Sequence, residues 1–72
     1  MSIPQEPVIL LSYINTQLRD FYPSLKELAR SLDASEQEIK DKLATINYTY
    51  DESKNRFVWK IYYIWILLLN NK

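Results

Sequence analysis

The sequence predicts a small α+β domain in which three helices are followed by a β-hairpin. Three observations carry this expectation. Apolar residues recur at helical spacing, two Ser-x-x-Glu tetrads mark helix starts, and two aromatic and β-branched tracts flank a run of turn-forming residues. The 72 residues fit one domain, because a chain of this size buries only about 60% of the surface it exposes when unfolded.

The first helix is expected to open at Pro7, whose missing N–H would have had no partner there anyway. Leu10, Leu11, Ile14, Leu18, Phe21 and Tyr22 form its apolar stripe, with Asn15, Gln17, Arg19 and Asp20 largely between them. Pro23 stops it, since the residue before a proline is biased away from the α region. Ser24 to Glu27 has the form of a capping box, in which the serine accepts from the N–H three residues on and the glutamate reaches back. A second helix therefore starts at Leu25 and buries Leu25, Leu28, Ala29 and Leu32. Asp33 and Ala34 make a short turn, the capping-box form recurs at Ser35 to Glu38, and a third helix runs from about Glu36 to Ile46 with Ile39, Leu43 and Ile46 inward. Tyr48 to Tyr50 and Phe57 to Trp59 read as strands joined by the polar run Asp51 to Asn55. Because the chain has no glycine, turns that need positive φ must use Asn or Asp, and Asn47 and Asn55 are the obvious positions. A type I turn closing on a left-handed Asn55 suits a loop of this length.

Composition narrows function mainly by exclusion. With no Cys and no His there is no disulfide framework and no Cys/His zinc site, which leaves tight helix packing or self-association to support a small core. The usual general bases and thiol nucleophiles are missing with them, and there is no Gly-rich phosphate loop. No catalytic, cofactor or metal residues are expected, and the chain does not read as an enzyme. The acid pairs Glu36 with Asp41 and Asp51 with Glu52 could face a cation, but acids at helix starts and turns are ordinarily solvated. Arg19 and Asp20 read as a contact at the end of the first helix. The opening MSIPQEP shows no secretory pattern, so a cytoplasmic protein is expected. Net charge is zero but divided: residues 1–52 hold five basic and nine acidic groups, a net of −4, and residues 53–72 hold +4. The two parts should attract, within a chain or between chains.

The order of elements is that of a winged helix-turn-helix. From Leu25 to Ile46 the spacing looks like the helix-turn-helix unit, with small Ala29 where the helices would touch, Ser35 after the turn and Ile39 in the second helix. Asp33 and Ala34 depart from it, standing where Gly and a larger apolar residue are usual. Pro7 to Ser12 (PVILLS), Asn15 with Leu18, Arg19 and Asp20, and Ile46 to Asp51 (INYTYD) with Asn55 and Phe57 make residues from about Ile3 to Val58 resemble a family of short bacterial proteins known as domain of unknown function, family 4250. The resemblance implies a bacterial origin and supplies no mechanism, and it does not extend to the segment after Val58.

Two surfaces remain as candidates. Nucleic-acid binding, the activity that a winged helix suggests, would fall to Lys26 and Arg30 on the second helix with Lys54 and Arg56 on the wing. Against it, the third helix opens with Glu36, Gln37 and Glu38, and carboxylates repel phosphates. The second candidate is the segment from Lys60 to Lys72, with an unbroken apolar or aromatic run from Ile61 to Leu69. It is too short to span a membrane, which takes about 20 residues. Strand and helix are both open for it, the Tyr, Trp and Ile content favouring a strand continued from the hairpin. Four readings compete: it completes the core, forms a dimer interface, anchors at a membrane surface, or is A/T-rich sequence read past a stop. The dimer is preferred, with Trp59, Ile61, Tyr63, Trp65 and Leu67 as candidate self-association residues. A protein-protein interaction or self-association module is thus expected, and a homodimer.

Overall fold

Residues 3–70 are described by the computed structural model, apart from the Tyr63 side chain. They form three helices, a two-stranded antiparallel hairpin and a fourth helix: α1 (Pro7–Asp20), α2 (Leu25–Ser31), α3 (Glu36–Ala44), β1 (Tyr48–Asp51), β2 (Arg56–Trp59) and α4 (Lys60–Asn70). The α+β order expected from the sequence is the one observed.

Local chemistry sets each boundary. Pro7 occupies the first turn of α1, and the Glu6 carboxylate caps it by accepting from the Ile9 N–H at 3.0 Å. Ser24 and Ser35 each accept from the N–H three residues on, that of Glu27 and that of Glu38, both at 3.1 Å. Only this half of the expected capping boxes is formed. Glu27 turns instead to Arg30, at 3.4 Å and one helical turn ahead, where a carboxylate still meets the positive helix end while reaching a cation. The third helix stops at Ala44 rather than Ile46, its last turn tightening into i to i+3 bonds at Thr45, Ile46 and Asn47.

Three residues take positive φ: Asp33 at 54°, Asn47 at 66° and Asn55 at 53°. Asp33 closes α2 as glycine usually does. Its N–H donates to Arg30 and that of Ala34 to Ala29, the paired bonds of a Schellman ending. Asn47 turns the chain from α3 into β1, and Asn55 brings it back into β2.

Leu10, Ile14 and Leu18 of α1, Leu25 and Leu28 of α2, Ile39 and Leu43 of α3 and Phe57 of β2 make one buried cluster. The α1 stripe is narrower than expected. Leu11 and Tyr22 are half-buried, and Phe21 is 69% exposed because it is the residue on which α1 ends, its backbone no longer helical. The strand register pairs Tyr48 with Trp59, Thr49 with Val58, Tyr50 with Phe57 and Asp51 with Arg56. Tyr50 and Phe57 thus face the core together, their ring centroids 5.5 Å apart, and Val58 lies on the opposite face.

The segment after β2 is a helix, not the continued strand that its residue types favoured. The reason lies in the partner. With β1 only four residues long and Asn47 turning away at its start, residues 61–69 would meet no strand to pair with. A helix satisfies its backbone groups within itself.

Candidate functional site

The candidate basic residues separate in the fold. Lys54 and Arg56, on the hairpin turn and the start of β2, line an open cleft of about 560 Å³ whose other wall is α1, with Ser12, Asn15, Thr16, Leu18 and Arg19, and whose lining includes Asn55. The third cation there is Arg19, not Lys26 or Arg30, which stand on exposed α2 positions with Arg30 paired to Glu27. The four residues expected to act together therefore do not share this cleft.

Two asparagines hold the cleft in shape. The Asn15 amide donates to the Phe57 carbonyl at 3.1 Å and its oxygen accepts from the Phe57 N–H at 2.8 Å. One side chain thereby stands in for a neighbouring strand and blunts the free edge of β2. The Asn55 amide donates to the Leu18 and Tyr22 carbonyls at the end of α1, at 3.3 and 2.9 Å, while its oxygen accepts from the Tyr50 hydroxyl at 2.6 Å. The Tyr50 hydroxyl in turn accepts from the Leu25 N–H at 3.2 Å, satisfying a first-turn donor of α2. The chain of bonds ties α1, α2 and the hairpin at one point. Periodicity gives no signal for it, since it joins residues more than 30 positions apart.

The remaining charges are mostly spent locally. Arg19 donates from Nε and Nη2 to both Asp20 oxygens at 2.9 and 3.0 Å, which raises the guanidinium pKa and lowers that of the carboxyl, chiefly through these hydrogen bonds. Asp51 folds back over its own turn, accepting from the Ser53 hydroxyl at 2.7 Å and the Ser53 N–H at 3.0 Å. The Ser53 hydroxyl bond is the main cause holding its pKa below the usual carboxylate range. On α3, Glu36 pairs with Lys40 at 3.4 Å and Asp41 accepts from Gln37 at 2.8 Å. Of the acids considered for a cation, Glu36, Asp41 and Asp51 are thus each engaged by a near neighbour, and among the described residues no group of three or more potential ligands forms a metal-binding cluster.

The largest apolar surface is α4. Trp59 is 48% exposed, Ile61 55%, Trp65 57% and Leu67 51%, and Tyr62, Ile64, Leu68 and Leu69 are exposed as well. The helix meets the rest of the chain along one narrow line, where Tyr62, Ile66 and Leu67 border a groove over Val58 and the turn Asp51–Lys54. Lys54 sits 5.5 Å from the centroid of the Tyr62 ring on that line. Of the candidate self-association residues, Ile61 and Trp65 are one turn apart and share a face. Leu67 lies off that face, since residues two apart on a helix are turned by about 200°, and the Tyr63 side chain lies outside the described residues. Two further exposed apolar side chains, Val8 and Ile9 of α1, were not anticipated, because both fall outside the helical stripe. No described helix is long and apolar enough to cross a membrane.

A family model described as domain of unknown function (DUF4250) matches residues 4–57, which leaves α4 outside the match. No curated protein and no solved structure matches the chain.

Proposed function

The chain belongs to the family described as domain of unknown function (DUF4250), and since that membership carries no chemistry with it, we propose from the surfaces above that the protein works by non-enzymatic contact, pairing with a second copy of itself through α4. The observation that supports this is the exposure of an apolar helix on nearly every side. Eight large side chains from Trp59 to Leu69 stand about half exposed. At about 150–250 Å² for a fully exposed side chain of this size, they present roughly 800 Å², the area each partner contributes to a stable interface of ordinary size. A second copy fits this surface because an all-apolar helix complements itself about a two-fold axis. The excess of positive charge after residue 52 and of negative charge before it adds attraction between copies.

Nucleic-acid reading in the manner of a winged helix is the second reading, and Lys54 and Arg56 on the hairpin favour it. The third helix does not, for Glu36 and Glu38 fill the turn that would approach the bases.

Sedimentation velocity of the full chain over about 1–100 μM, at or above the micromolar-to-picomolar affinities of interfaces of this area, tests the proposal. A dimer is expected, reverting to monomer on joint Ile61→Glu and Trp65→Glu substitution with the helical signal of the rest retained. A wild-type chain that stays monomeric with α4 helical overturns it, as does one that is monomeric and captured by phosphatidylcholine vesicles.

A further inference from the structure

We propose that the cleft between α1 and the hairpin turn is a binding site for a phosphate-bearing anion, held by Arg19, Lys54 and Arg56 with the Ser12 and Thr16 hydroxyls. The inference does not rest on α4 pairing, although Lys54 also touches Tyr62 of α4.

The charge comes first. Lys54 and Arg56 enter no ion pair among the described residues, while Arg30 and Lys40 are each matched to a glutamate. Arg19 is drawn on by Asp20, but only through Nε and one proton of Nη2, so its Nη1 donors remain available. The cleft lining contains no Asp or Glu. The acids of the turn, Asp51 and Glu52, line the groove on the α4 side, and Asp20, bonded to Arg19, flanks this wall without lining it.

Geometry follows from the two asparagines. Ser12, Thr16 and Arg19 lie on successive turns of α1 and so share a face, and Asn15 and Asn55 fasten that face to the hairpin through four side-chain bonds to the backbone. The Asn55 amide is used up in doing so, while Asn15 keeps one N–H. Both chiefly hold the wall, leaving that N–H, the two hydroxyls and the three cations as the free donors. The Lys54 side chain borders both grooves, its ammonium standing over the Tyr62 ring on the α4 side, so it turns toward the cleft to meet an anion there.

Chemical class follows from what is missing. The lining has no aromatic side chain, and its only apolar residue, Leu18, is 3% exposed. A nucleobase or an apolar acid has nothing to stack on or bury against. A compact, multiply charged oxyanion needs only donors, and guanidinium groups suit phosphate oxygens in particular. The common chemistry is a phosphate group, whether of a free polyphosphate or of a nucleic-acid backbone.

Titration of the full ¹⁵N-labelled chain with pyrophosphate, against sodium chloride of equal ionic strength, tests the site. Saturable amide shifts are expected at Thr16, Arg19, Lys54 and Arg56, weakened about tenfold by Arg56→Glu and untouched by Lys26→Glu with Arg30→Glu. A second titration with a mixed-sequence oligonucleotide separates the sources. Saturation at the same amides at lower concentration assigns the site to backbone phosphate, and weaker or absent saturation assigns it to the free anion. The proposal is overturned if pyrophosphate and chloride move the same amides alike, or if Arg56→Glu leaves the titration unchanged while the fold is intact by circular dichroism.

Discussion

Asp33 and Asn55 both take the left-handed conformation, yet they should respond oppositely to glycine. A Cβ in that region costs about 1 kcal/mol. Asp33 makes no side-chain hydrogen bond among the described residues, so Asp33→Gly relieves the strain at little loss and should stabilise the chain by about 0.5–1 kcal/mol. Asn55 uses its amide on two carbonyls and its oxygen on Tyr50. Asn55→Gly should therefore destabilise by about 2 kcal/mol, and Asn55→Ala, which keeps the strain and loses the bonds, by about 3. Urea denaturation of the three variants checks the order. Asp51 provides a pH prediction of known sign. Its carboxyl titrates below its ordinary value when folded, so the stability it contributes is complete above about pH 4 and lost as pH falls through the lower folded value. Asp51→Ala should flatten the acid limb of a thermal-stability profile, and an unchanged limb would place the acid sensitivity elsewhere.

At the scale of elements, the caps are what the sequence states most clearly. Ser24→Ala and Ser35→Ala should each cost about 1 kcal/mol, because each leaves a first-turn N–H without its acceptor. Glu27 and Glu38 were expected to reach back to those serines. Glu27 spends its charge on Arg30 instead, a choice between two nearby donors that spacing does not decide. Helix α4 tests a different point. Its residue types favour a strand, but a strand needs a neighbour and β1 offers only four positions. Ile64→Pro, in the interior of α4, should break that helix. The expected result is a smaller far-UV helical signal and loss of self-association, with the cooperative unfolding of residues 3–59 preserved. Collapse of the whole fold would show that α4 is part of the core.

For the whole molecule, stability and association are linked. A chain of this length is stabilised by roughly 5 kcal/mol, and removing a wholly buried side chain such as Leu28 or Ile39 costs about 2–5 kcal/mol. Leu28→Ala should leave about 0–3 kcal/mol, enough to lower the unfolding midpoint sharply and, at the low end, to unfold up to about half of the chains. If copies pair through α4, folding draws on the binding energy, and the wild-type midpoint should rise with protein concentration. A midpoint constant over a hundredfold range would contradict pairing. The charge division acts at this scale too, since raising the salt screens attraction between the acidic and basic parts of separate copies.

The sequence by itself determined the order of elements, the two serine caps, the strands and the left-handed Asn47 and Asn55, because each depends on residues within a few positions of one another. It also marked the segment after Trp59 as apolar surface that has to be covered. Only the tertiary structure decided what joins across the chain. Asn15 closing the edge of β2, Asn55 binding the end of α1, and Arg19 rather than Lys26 or Arg30 facing Lys54 and Arg56 all follow from how α1 lies against the hairpin. Hydrogen bonds of that reach are set by packing, and packing leaves no period in the sequence. The helical form of α4 was decided in the same way, by the absence of a partner strand along which it could run.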